Sequence, residues 1–364
     1  MLDVLTYSPH WDPYDLWSEP ALGRAKARGM GLRVLAAAGA EALAPALTRK
    51  LLRVPTHEYA HVAALIGECR AAWSPEEASR LLALFERLRV PTPAYAAWGL
   101  PFPWYSKNGV YPAGTPFVTN TPYVMRSLIR LMEMPATAPA AAQLFHATWA
   151  FLGALPVMVG QAPLLALGYS PRPEPRVVVN ANAYAVWGYA MHAAAGLPAR
   201  RSEALDRIEG ITRWIASQQG ADGSWPYYAD GEPGNFIDCF HSCFVVRNLR
   251  YAAALVPEIE PRLQPVISRG ERFIRDAFVD SGTGLCRHYA RPPRFEPYPW
   301  ELYDQAEYLG LLLDAGDLAA AAAFDARVAA RFQSGGAWFS RINAAGMRWG
   351  RNFLRWVLVR YIVV

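Results

Sequence analysis

The stretch Asp222-Gly-Ser-Trp-Pro-Tyr-Tyr decides the fold, because versions of it recur along the chain. A glycine with neighbouring aromatics also stands at Trp98-Gly-Leu-Pro-Phe-Pro-Trp, Gly168-Tyr-Ser-Pro, Gly282-Thr-Gly-Leu-Cys-Arg-His-Tyr and Gly335-Gly-Ala-Trp-Phe-Ser. Counted from residues 98, 168, 222, 282 and 335, the steps are 70, 54, 60 and 53; six equal parts of the 364 residues would be about 61 each. A period of that length is the signature of a repeat architecture.

Between the marks the hydrophobic pattern repeats as well. Residues 57–71, 122–134, 183–195, 239–255, 302–314 and 347–364 are apolar nearly all round, as expected of helices buried on both sides. Residues 21–53, 75–88, 138–155, 201–219, 261–278 and 318–332 carry a polar stripe of Arg and Glu, as expected of half-solvated helices. Six inner and six outer helices predict an all-α fold, an (α/α)6 toroid of six hairpins, with short loop or β-hairpin insertions at the mouth. Proline-rich links such as Pro91-Thr-Pro and Tyr169-Ser-Pro-Arg-Pro-Glu-Pro fall at the repeat period, so residues 1–364 read as one domain.

Composition agrees with a large packed core. Hydrophobic residues make up 53% and charged residues 18%, which excludes disorder. The net charge of +5 is spread without a basic stripe interleaved with aromatics, so no nucleic-acid partner is expected. No apolar run reaches a membrane-spanning length of ~18 residues, and the first residues do not read as a signal peptide, so a cytoplasmic protein without membrane insertion is expected. Cys69, Cys239, Cys243 and Cys286 are too few and scattered for a disulfide framework. Cys239, His241 and Cys243 lack a second ligand pair, and His57 and His61 lack a third, so no metal and no cofactor are expected.

At Ile211-Thr-Arg-Trp-Ile-Ala-Ser-Gln-Gln-Gly-Ala-Asp-Gly-Ser-Trp the chain resembles the Gln-Trp repeat of the terpene-cyclase and prenyltransferase toroids, with Gln218, Gly223 and Trp225 matching. The resemblance implies a loop lock between hairpins. It does not extend to chemistry, because the diphosphate-binding acidic clusters and the zinc triad of those families are missing. Over residues 90–350 the segments Tyr111-Pro-Ala-Gly-Thr-Pro-Phe, Asn120-Thr-Pro-Tyr, Asn180-Ala-Asn-Ala-Tyr and Phe236-Ile-Asp-Cys-Phe-His-Ser-Cys-Phe resemble bacterial proteins associated with exopolysaccharide biosynthesis. The toroids of glucuronyl C5-epimerases and polysaccharide lyases are similar in architecture. This second resemblance implies a carbohydrate polymer or oligosaccharide as partner. Tyr303-Asp-Gln-Ala-Glu departs from the run expected there.

In such a ring the N-terminal ends of the inner helices face a common funnel. The polar residues expected there are Thr119, Asn120 and Tyr123, Asn180 and Asn182, Asp238 and His241, Tyr303, Asp304 and Glu307, and Arg348. Read singly, Asn180, Asp238 and Thr121 are N-caps; read together, they surround one axis. Removing the C5 proton of a uronate needs a neutralised carboxylate and a base near neutral pH. Asn182 and Arg348 fit the first role; His241, Tyr123, Tyr227 or Tyr303 fits the second. A hydrolase would need two carboxylates, and Asp238 with Asp304 is the pair expected, Asp222 and Glu301 being in reserve. Trp98 and Trp225 read as plugs of hairpin loops, whereas Trp104, Tyr105 and Tyr111 beside Lys107 read as an exposed substrate-gripping lid. The functional expectation is an acid–base carbohydrate enzyme (lyase, epimerase or hydrolase). A non-catalytic scaffold of polysaccharide assembly is the alternative, and an isoprenoid-acting toroid comes third.

Overall fold

The computed structural model describes residues 9–12, 14–28, 31–68, 73–290, 296–351 and 353. After a 3-10 turn at Asp15–Ser18 come helices α1 (Pro20–Arg28), α2 (Leu32–Leu43) and α3 (Pro45–Leu51). Inner helices are α4 (Ala60–Glu68), α6 (Thr121–Met132), α8 (Val179–Ala195), α10 (Cys239–Leu255) and α12 (Leu302–Asp314). Their outer partners are α5 (Pro75–Leu88), α7 (Ala138–Gly153), α9 (Arg201–Ser217), α11 (Glu260–Phe278) and α13 (Leu318–Phe332). Short strands decorate one end: β1 (Trp104–Ser106), β2 (Gly109–Tyr111), β3 (Val157–Val159), β4 (Ala166–Leu167), β5 (Trp300–Glu301), β6 (Gln333–Ser334), β7 (Ala337–Ile342) and β8 (Arg348–Arg351).

Each inner helix packs on the next, α4 on α6 and so on to α12, and each packs on its outer partner. The inner ones are buried nearly all round: in α8 every residue from Val179 to Ala193 is buried. The outer ones show why they stop where they do. Ser74 and Glu77 close a capping box around α5 with Pro75 at its first position, and Asp317 caps α13 through Ala320 N–H. The expected toroid is present.

The sector between α12 and α4 is built differently. The apolar run 347–364 is expected as an inner helix, yet Arg348–Arg351 pairs as β8 with β7; residues 354–364 lie outside the described residues, as does Cys69. Gly346, at φ +77°, makes the turn that returns the chain onto β7, and ladder pairing overrides the apolar run. The stretch 21–53, expected as a helix broken once, is broken twice into three short ones, which fill this sector. Arg49, fully buried, bonds Asp15 at 2.8 Å and Glu41 at 2.9 Å, and Trp349 Nε1 donates to Glu41 O at 2.7 Å. His10 bridges to His57 ahead of α4, and Tyr14 Oη donates to Glu301 at 2.8 Å, so this segment joins both neighbours of the gap.

The loop lock is present with one change of residue. Gln219, not Gln218, donates to Gly223 O at 3.1 Å and Val266 O at 3.0 Å, and accepts from Arg269. Gln218 reaches only Ser217 Oγ on the exposed side. Trp225 Nε1 donates to Ile215 O at 3.1 Å, and Trp98 Nε1 to Phe85 O at 2.8 Å, so both rings plug loops as expected.

Candidate functional site

The mouth is stitched from one sector to the next. Val178, just before α8, bridges to Tyr228; Asp238, just before α10, bridges to Tyr289; Trp300 and Glu301, just before α12, pair with Ile342 and Arg341. In these three sectors the loop after the outer helix therefore lies against the start of the preceding inner helix.

At the start of α10, Asp238 does not cap the helix. Its Oδ2 lies 2.6 Å from Nδ1 of His241, three residues on and so on the same helical face. Asp238 is buried, whereas the His241 side chain keeps 22% of its surface exposed. With Nδ1 engaged by the carboxylate, Nε2 of His241 is the nitrogen left for chemistry.

The cap of α10 comes from the next inner helix. Asp304 Oδ1 accepts from Phe240 N–H at 3.1 Å, while its Oδ2 lies 3.0 Å from Nδ1 of His288. Cys239 N–H donates to His288 O at 2.9 Å and Ala290 N–H to Ile237 O at 3.1 Å, which seats the His288 strand beside α10. Two histidine–aspartate pairs thus meet at the N-terminal ends of adjacent inner helices, His288 being supplied by the loop ahead of α12. The Phe240 ring lies between the imidazoles, at centroid distances of 4.1 Å from His241 and 5.5 Å from His288.

Electrostatics fixes the charge of His288. Burial works against charge on His288, but Asp304, Glu301 and Asp238 outweigh it and raise its pKa to about 10. Burial raises the Asp304 carboxyl to about 7 against the pull of His288, so this pair retains a proton through neutral pH. For Glu301 burial favours the neutral acid, yet the charges of Arg341 and His288 and the Tyr14 hydroxyl hold it below the ordinary carboxylate range. Arg341 Nε lies 2.8 Å from Glu301 Oε1, and its guanidinium stacks over Tyr14 and Trp349.

Aromatic rings wall the site. Tyr303 stacks on Phe240 at 4.5 Å; Tyr227 lies 4.6 Å from His241 and stacks on Phe236 at 4.7 Å. Burial, then neighbouring Tyr and Asp238, pushes the Tyr227 hydroxyl well above its ordinary pKa, so it stays protonated. A cavity of about 10 Å³, roughly the room for one water, is lined by Asn180, Tyr227, Asp238 and His241. Asn180 Oδ1 and Asp238 Oδ1 are buried there without a partner among the described residues.

The structure therefore brings Asp238, His241, Tyr227, Tyr303 and Asp304 together. Tyr123 and Asn120 lie at the start of α6, both buried, with the Tyr123 hydroxyl 2.5 Å from that of Tyr184. Glu307 is one turn deeper, paired with Arg247 at 2.8 Å. Asp222 closes its own turn by accepting from Ser224.

Three expectations are corrected. Asn182 is no carboxylate holder: Oδ1 accepts from Leu167 N–H at 2.8 Å, and Nδ2 donates to Leu167 O and Val178 O. Gln305 does the same two sectors on, clasping both backbone groups of Cys286 and the Glu301 carbonyl, so these amides tie loops to inner helices. Arg348 is on β8 rather than an inner helix, and its guanidinium donates to Arg331 O and Ala330 O at the end of outer helix α13. The expected lid is the β1–β2 hairpin, and it is anchored. Tyr111 is buried and donates to Glu174 at 3.0 Å, Asn108 Nδ2 donates to Arg176 O, and Lys107 Nζ to Gly234 O at 3.0 Å. Trp104 is half-buried, edge-on to Tyr14.

His288 and Arg341 were not legible as site residues. His288 stands inside the Gly282 punctuation mark, where it reads as part of a loop. Its signal was position: the mark immediately precedes the inner helix that carries Asp304.

No family model matches the chain, and no curated protein matches its sequence. Solved structures do match it in shape. The cellobiose 2-epimerase of Bacillus thermoamylovorans superposes with a TM-score of 0.62 at 9% identity, over 84% of this chain and 85% of that one. A D-mannose isomerase gives 0.59 at 11% identity, over 84% and 83%. The GH76 α-mannanase of Bacteroides thetaiotaomicron gives 0.57 at 11% identity, over 84% and 82%. Likeness at such identities shows a common toroid fold.

Proposed function

We propose that this protein is a carbohydrate-active enzyme that moves a proton at a carbon next to a carbonyl, an epimerase or isomerase of a neutral sugar or oligosaccharide. The observation that carries the reading is the pair of histidine–aspartate couples meeting across Phe240. An epimerase and an isomerase of sugars on the same toroid make the substrate class chemically reasonable.

In this reading His241, with Asp238 on Nδ1, uses Nε2 as the base. It removes the C2 proton of an open-chain aldose; the C–H electrons form the C1–C2 double bond and the carbonyl π electrons move onto oxygen. His288, held as an imidazolium, faces that developing oxyanion and donates to it. A solvent-derived proton added at C2 from the opposite face, with the O1 proton returning to His288 as the carbonyl re-forms, gives the epimer; return of the His241 proton to C1, with loss of the O2 proton, gives the ketose. The aromatic walls of Tyr227, Phe240 and Tyr303 supply faces for sugar rings.

Two readings lose ground on specific observations. The carboxylates expected of a hydrolase, Asp238 and Asp304, are each engaged by a histidine. For a uronate polymer the intended arginine, Arg348, is at the outer helices, and Arg341 is already matched by Glu301. Three carboxylates beside the histidines favour a neutral substrate over a polyanion.

The test is incubation with cellobiose, mannose and glucose, and separately with uronic-acid polymers, in deuterated water, followed by proton NMR. Deuterium at C2 of a neutral sugar, lost in His241→Asn and His288→Gln, supports the proposal. Exchange at C5 of a uronate would replace it with the acidic-polymer reading. No exchange in any sugar would leave a binding or scaffold role in polysaccharide assembly.

A further inference from the structure

Strands β5, β7 and β8 present two rows of side chains. Register places Trp300 opposite Ile342 and Ile342 opposite Arg348; the neighbouring row is Glu301, Arg341 and Trp349. Successive side chains of a strand point to opposite faces. The Glu301 row faces the histidine site, where Arg341 forms an ion pair with Glu301 and stacks on Trp349. The Trp300 row faces away, into a separate cavity of about 190 Å³ lined also by Thr283, Leu285 and Arg331.

That cavity has a consistent chemistry. Its floor is apolar, with Leu285 and Ile342 both buried. The Trp300 indole N–H is buried and has no hydrogen-bond partner among the described residues. No carboxylate lines it, and neither Arg331 nor Arg348 is in an ion pair among the described residues. Arg348 Nε donates to Arg331 O at 2.6 Å, which anchors the rim of the cavity to the end of α13. Two guanidiniums and an indole N–H present donors only, so their complement is an acceptor-rich anion. The volume is somewhat above the ~150 Å³ that holds one benzene ring and below the ~300 Å³ of pockets for larger ligands.

We propose that this cavity is a second ligand site, for a single-ring molecule bearing a phosphate or carboxylate, such as a sugar phosphate or a uronate monosaccharide. It is separated from the histidine site by the sheet and is independent of the reaction assigned there.

Isothermal titration calorimetry on the full chain tests it, with glucose 6-phosphate, glucuronate, glucose and inorganic phosphate as probes. The expected result is saturable, salt-sensitive binding of glucose 6-phosphate or glucuronate, with glucose at least about tenfold weaker. Which of the two anions binds more tightly identifies the group. Arg331→Ala, an exposed side chain with no structural bond, should weaken binding at least about tenfold. Trp300→Phe should weaken it while keeping the ring. His241→Asn, in the other site, should leave it unchanged. No saturable binding of either sugar anion would overturn the proposal, as would binding insensitive to Arg331→Ala or abolished by His241→Asn. Inorganic phosphate binding as tightly as glucose 6-phosphate would overturn its single-ring part.

Discussion

Asp304 holds His288 with one oxygen, at 3.0 Å, and the first turn of α10 with the other, through Phe240 N–H at 3.1 Å. One buried carboxylate thus sets the position of one imidazole and of the helix that carries the other. Asp304→Asn preserves shape and an acceptor but removes the charge. The His288 pKa should then fall from about 10 toward or below the ordinary ~6.5, read by NMR titration of labelled histidine. A value that stays near 10 would show that Glu301 and Asp238 hold the proton without Asp304.

Stability should follow the same proton. His288 binds it more tightly in the folded chain than in the unfolded one, where the pKa is ~6.5. The resulting stabilisation is complete below about pH 6.5, declines as pH rises, and is gone above about 10. Melting temperatures of the protein and of His288→Gln should therefore differ most in mild acid and converge in alkali. A gap that widens with pH would refute this sign.

Asp238→Asn should reverse the acceptor at His241 Nδ1 and favour the tautomer whose Nε2 carries the proton. Exchange activity should fall about 10²–10⁴-fold while the melting temperature changes little, because the amide still fits the same space. Equal loss of activity and of fold would point to a structural pair.

Gln219→Ala should cost about 1–3 kcal/mol in denaturant unfolding, since it leaves Gly223 O, Val266 O and Arg269 without their partner. Gln218→Ala, on the exposed side, should stay within about 0.5 kcal/mol.

Asn182→Ala should lower stability by about 2–4 kcal/mol, because both backbone groups of buried Leu167 lose their bonds. The folded fraction should retain its exchange activity. If instead activity is lost at unchanged stability, Asn182 touches substrate after all.

Much of the fold was present in the sequence because its causes are local. Helices 75–88, 239–255, 302–314 and 318–332 lie where the apolar and amphipathic runs place them, bounded by residues such as Ser74, Pro75 and Asp317 that act within one turn. Asp238 and His241 were legible for the same reason, since a three-residue spacing on one helix puts both on one face. The identity of the locking glutamine was not, because adjacent glutamines at a helix end differ only in which side faces the neighbouring helix.

Ring closure decided the rest. His288 meets Asp304, Arg341 meets Glu301 and Tyr14 meets Glu301 across 16, 40 and 287 residues, and no local pattern records those meetings. Arg348–Arg351 becomes a strand because β7 offers it a ladder, and Arg348 goes with it to the outer side. Sequence alone determined a ring of helical hairpins with polar residues at one mouth, because hydrophobic period and helix ends are short-range properties. Only the tertiary structure determined which of those residues meet as histidine–aspartate pairs and which tie loops to helices, because that depends on partners delivered by loops from the next sector and on the burial that closing the ring imposes.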